Sequence, residues 1–195
     1  MIAAAAWPWA EATAAARFAQ AVEGWHEFYL LAGTAAVTLV GLLFVALSFH
    51  LDALLDDSRA HLLALARQTF GAYLYVLVIS LVFLIPGGSA RVLGTALTVA
   101  SAVYLGLLLF RTRTTVREAD PSGHDRFRSR RMRMMAIVLL LGLGASLAIA
   151  FTHDPGWLPL FVTVVLLQLA NAAWTSWDLL VQVGRMKQGA GRGEP

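Results

Sequence analysis

The 195-residue chain contains no cysteine, which excludes disulfides, thiolate metal sites and thiol redox chemistry. Charge is scarce as well: acidic and basic side chains make up 14% of residues against 58% hydrophobic, and the mean hydropathy is +0.68. A water-soluble domain of this length exposes far more charge. Catalytic signatures are missing too. There is no HExxH, GxSxG, Walker loop or glycine-rich dinucleotide turn, and Ser, His and Asp are not grouped as a triad. The expectation is therefore a non-enzymatic protein without a cofactor. Lysine is nearly absent, with one against fourteen arginines, a bias that fits a GC-rich coding sequence and hints at a bacterial source.

What the chain does have is long apolar runs. Five of them, at about 28–49, 69–85, 92–110, 134–152 and 157–177, are long enough to cross a bilayer as helices. They predict an all-α, polytopic membrane helix bundle forming one domain over 1–195. Ahead of the first run, Ala14, Phe18, Ala21, Val22 and Trp25 recur at helical spacing, with Trp7 and Trp9 suited to a headgroup region. This predicts an amphipathic helix within 1–24, lying on the outer membrane surface. The first helix is expected to continue to about Leu55, and a short helix from Arg59 to lead into a second span whose shortness implies little tilt. Pro86-Gly87-Gly88 and His153-Asp154-Pro155-Gly156 are expected to be tight turns. Residues 184–195 read as a flexible tail.

Arginine placement predicts the orientation. The connection 111–133 holds Arg111, Arg113, Arg117, Arg126, Arg128, Arg130, Arg131 and Arg133, and the positive-inside rule makes it a cytoplasmic loop. The five-span arrangement then puts thirteen of the fifteen basic residues inside and leaves Arg17 and Arg91 outside. The amino terminus is expected outside and the carboxyl terminus in the cytoplasm. Arg126, Arg128, Arg130, Arg131 and Arg133 are candidates for binding anionic lipid. No aromatic interleaving or known module accompanies the charges, so nucleic acid is not an expected partner.

Two polar edges stand out within the apolar runs. Read at steps of three and four, the first span and its flanks give Glu27, Leu31, Thr34, Thr38, Gly41, Val45, Ser48 and Asp52. Lipid can neither donate to hydroxyls nor stabilise charge, so this edge is expected to face another helix or water inside a protein. These eight residues are the candidate pore lining, with a carboxylate at each end. The fifth span carries Gln168, Asn171, Thr175, Asp178 and Gln182 at the same steps, a supporting stripe that should look inward. Two accounts of the first edge remain open: it lines a path in an oligomer, or it packs against Gln168, Asn171 and Thr175 inside one protomer. Ala32, Gly33, Ala35, Ala36 and Gly41 leave this helix narrow enough for close approach by a neighbour. Glu23, His26 and Glu27 share a face if the helix persists through Gly24, which makes them weak metal candidates; no metal site is expected.

The stretch GLLFVALSFHLDALL at 41–55 resembles a motif in small, functionally uncharacterised bacterial integral membrane proteins, and brings a membrane fold but no activity. The five-span count and LQLANAAW at 167–174 are also similar to the tryptophan-rich sensory proteins. The proline-rich and tryptophan-rich loop patterns of that family are missing here, so its ligands are not carried over. The function expected from the residues is an oligomeric permeation protein of a bacterial cytoplasmic membrane, passing inorganic cations and contacting anionic lipid. The alternative is a non-transporting accessory protein whose basic cytoplasmic segment engages lipid or a protein partner.

Overall fold

The computed structural model describes residues 8–49, 60–116 and 125–190, with side chains over 13–49, 63–110 and 133–181. Among the described residues there are helices and turns and no strand. The helices are α1 (Pro8–Glu23), α2 (His26–Ser48), α3 (Ala60–Leu84), α4 (Ala90–Val116), α5 (Asp125–Thr152) and α6 (Leu158–Ala190), with a 3₁₀ turn at Pro155–Trp157 before α6. Five of the six are long and apolar enough to cross a membrane, which suggests an integral membrane protein.

Local chemistry explains the boundaries. Pro8 opens α1, where its missing amide donor costs little. Gly24 and Trp25 form a turn, their amides donating to Gln20 O and Val22 O at 3.1 and 3.0 Å. Beyond α3, Gly87 takes φ 73°, a conformation that glycine alone adopts without a Cβ penalty. Ser89 then caps α4 by accepting the Val92 amide at 3.3 Å. At the end of α5, His153 sits in the left-handed region at φ 56° and Asp154 Oδ1 accepts the Gly156 amide at 2.9 Å. Both expected turns are present.

Packing follows from where side chains are small. A Cβ on Gly94 would lie 2.6 Å from Ala150 N, so α4 presses its backbone onto α5. A Cβ on Gly33 would lie 3.0 Å from Ser80 Cβ, so α2 closes similarly on α3. These are the two most intimate pairs, and α6 holds them together by packing on both α3 and α5. The shared core is built from Tyr29, Val76, Ile79, Phe83, Leu97, Leu139, Ile149, Phe161 and Val164. Within it, the rings of Tyr29 and Phe83 stack at 3.8 Å. Phe18 of α1 is buried in the same core, and α1 rests against α4 and the 3₁₀ turn. The amphipathic helix therefore spends its apolar face at least partly on the protein.

Several expected boundaries are corrected. The second candidate span begins at Leu63, not Thr69, and the described chain is one unbroken helix from Ala60 into that span, not a short helix followed by another. At roughly 1.5 Å per residue its twenty-two residues rise about 33 Å, enough to cross a core of about 30 Å with room for tilt. The arginine connection is not a loop over 111–133: α4 continues through Arg111 and Arg113, and α5 already contains Arg126 to Arg133. Arginine and methionine are good helix formers, and Pro121 and Gly123 lie between the two helices. The tail is helical as far as Ala190. α2 is described to Ser48, and the expected continuation to Leu55 lies outside the described residues.

Candidate functional site

The first-span edge lies on the outside of the protomer. α2 turns Tyr29, Ala32, Gly33, Ala36 and Leu43 inward, mostly against α3. One hundred degrees of rotation per residue then carries the candidate edge to the other side. Glu27, Thr34, Thr38, Gly41 and Ser48 are all exposed. Leu31 is 70% exposed and Val45 51%. A Cβ added at Gly41 would meet nothing within 4 Å. Asp52 lies outside the described residues. The account in which this edge packs against Gln168, Asn171 and Thr175 within one protomer is therefore overturned. Of the small residues expected to permit close approach, Ala32, Gly33 and Ala36 do so inside the protomer, whereas Gly41 does not.

The hydroxyls on this edge are already committed. Thr34 donates to Leu30 O at 2.8 Å, Thr38 to Thr34 O at 2.9 Å and Ser48 to Phe44 O at 2.9 Å. A hydroxyl has one proton and two acceptor sites. With the proton turned into the helix, each oxygen presents lone pairs outward.

The fifth-span stripe lies on a buried to half-buried side of α6. Gln168 and Thr175 are buried, at 1% and 4% exposure, and Asn171 and Asp178 are half-buried. Thr175 Oγ1 donates to Asn171 O at 2.7 Å. Beside it, Tyr73 and Ser176 share a 3.2 Å hydrogen bond that joins α3 to α6. The side chain of Gln182 is outside the described set. Sequence reasoning missed the tyrosines: Tyr75 and Ser101 are hydrogen-bonded at 3.0 Å, and the ring of Tyr75 stacks on Tyr104 at 4.9 Å. Their signal was present on α4, where Thr98, Ser101 and Tyr104 fall at steps of three, whereas Tyr75 has no polar neighbour at helical spacing on its own helix. Tyr29 Oη, Ser80 Oγ and Gln168 Nε2 are buried without a hydrogen-bond partner among the described residues. Each of α2, α3 and α6 thus carries a polar atom into the apolar interior.

The weak metal candidates are separated. Glu23 ends α1, while His26 and Glu27 begin α2 across the Gly24-Trp25 turn, so the continuous helical face on which they depended does not exist. Among the described residues no three His, Cys, Asp or Glu side chains are grouped to hold a metal ion. Of the lipid candidates, Arg133 is exposed; Arg126, Arg128, Arg130 and Arg131 are on α5, their side chains outside the described set. No protein-family model, curated protein or solved structure matches the chain.

Proposed function

We propose that the protein is a homo-oligomeric permeation protein of a bacterial cytoplasmic membrane, in which the outer edge of α2 faces the assembly axis and passes inorganic cations. The observation that supports it most is the outward edge of Thr34, Thr38 and Ser48, whose protons are turned inward and whose oxygen lone pairs point away from the protomer. Repeated around an axis, such oxygens replace part of a cation's hydration. Exposed Glu27 becomes an acidic ring at the mouth, which favours cations over anions, and exposed Leu31 or Val45 supplies an apolar constriction that closes by dewetting.

One observation favours the accessory reading instead. A hydroxyl that donates to its own helix is satisfied, so the same edge can rest against lipid at little cost. Planar-bilayer currents from reconstituted protein separate the two. Permeation predicts a cation-selective conductance that falls several-fold on Glu27→Gln and changes its gating on Val45→Ala. Folded protein that is silent across pH and voltage would reject the path and leave the accessory role.

A further inference from the structure

Residues 85–89 alone join α3 to α4, yet the two helices pack less closely than either does with its other sequence neighbour. The physical reason is in the glycines: Gly33 draws α2 and α3 together and Gly94 draws α4 and α5 together, so the seam between the pairs is left open. It forms an apolar groove of about 950 Å³. Its rim is made by Phe70, Leu74 and Val78 of α3 and Val99, Val103 and Leu107 of α4, all exposed, so the groove opens sideways onto whatever surrounds the bundle. The stacked rings of Tyr75 and Tyr104 lie against it, and the Tyr75 hydroxyl is fixed by Ser101.

The two ends of the groove differ. From Arg67 to Val82 its α3 wall spans sixteen residues, a rise of roughly 22 Å, which is most of a hydrocarbon core about 30 Å thick. At the turn end the lining is Val82 and Val92, and at the other end it includes Arg67, the one charged side chain in the lining among the described residues. Gln68 next to it donates to Met135 Sδ at 3.0 Å, which holds the start of the α5 candidate span, with Arg133, at the same level. Past Leu108, α4 continues through Arg111 and Arg113. An apolar slot along the bilayer depth thus ends at Arg67, on the side of the bundle where α4 and α5 carry their arginines.

We propose that this groove binds an anionic glycerophospholipid, its acyl chains along the α3–α4 seam and its phosphate at Arg67. Lipid capture needs the protein to sit in a bilayer but does not need it to conduct, so silence in bilayer currents leaves this site standing. The long stem of arginine suits the place, since it lies along apolar surface while the guanidinium reaches the headgroup level. A planar guanidinium also matches phosphate oxygens in pairs.

The test is native mass spectrometry of the full-length protein, released from mixed micelles containing palmitoyl-oleoyl phosphatidylglycerol and palmitoyl-oleoyl phosphatidylcholine in equal amounts. Wild type should retain the phosphatidylglycerol preferentially. Arg67→Gln should lower its retention about fivefold, the factor that one basic contact near an anionic headgroup contributes, with phosphatidylcholine unchanged. Arg91→Gln, at the opposite end of α4, should change neither. Ala96→Trp fills the groove and should expel both lipids, with circular dichroism and thermal melting reporting the fold; Val99→Trp at the exposed rim replaces it if that variant does not fold. Equal retention of the two lipids, or insensitivity to Arg67→Gln, overturns the site. So does unchanged lipid in a folded groove-filling variant, or a fall in oligomer mass on Ala96→Trp with lipid unaffected, which assigns the seam to a second copy of the chain.

Discussion

Gly94 and Gly41 are the same residue type in similarly apolar helices, yet they do opposite things. At Gly94 a methyl group would meet the backbone of Ala150 at 2.6 to 2.7 Å, and backbone cannot move aside as a flexible side chain can. Gly94→Ala should therefore destabilise the protomer by about 1–3 kcal/mol, the usual range for overpacking, seen as a lower melting temperature in detergent. Gly106→Ala is the matched control on the same helix, because no atom lies within 4 Å of its added methyl; its melting temperature should not fall. The sequence marked Gly41 as a place where a helix is narrow and passed over Gly94. It did not say which side a neighbour occupies, because that depends on contacts between helices distant in the chain, and the close contact expected of Gly41 is made by Gly33 and Gly94 instead.

Single helices were legible in their number and less so in their ends. Five apolar runs became five candidate spans because length and hydropathy are properties of one segment. Their ends differ from expectation where charge suggested irregular chain: the arginines of 125–133 favour helix, and α5 includes them. The polar edges show the same division. Helical spacing revealed one on α2 and one on α6, and the need to satisfy buried amides directed the second inward, but nothing in the spacing said that the first points out of the protomer. The orientation of the α2 edge was set by the opposite face of that helix, where Tyr29 and Ala36 entered the core. This changes what Gly41→Leu should do. Because Gly41 faces open space, the variant should leave the melting of the protomer within about 0.5 kcal/mol of wild type, as for other surface changes, while lowering the mass of the assembly by light scattering. Unchanged mass would remove the outer edge of α2 from any interface.

For the molecule as a whole, the ends of the helices separate two kinds of surface. The Gly24-Trp25 turn, the turn at Gly87 and the 3₁₀ turn lie at the ends of α2 to α6 opposite the arginine-bearing ends of α4 and α5. A reporter inserted at Gly88 should be reached only from outside the cell, and one fused after Glu194 only from the cytoplasm, as the basic asymmetry implies. Labelling of both from one side would reject the five-span topology. The way α6 packs also bears on the order of assembly. α2 with α3 and α4 with α5 are hairpins of neighbouring sequence, each able to pair as soon as its second helix has been synthesised, whereas the contact between them along the α3–α4 seam is loose. Only α6 grips both, and it is translated after the other five. Until it emerges, the nascent protein is two hairpins joined by a short hinge, with the inward faces of α3 and α5 uncovered and open to chaperones, proteases or a neighbouring chain.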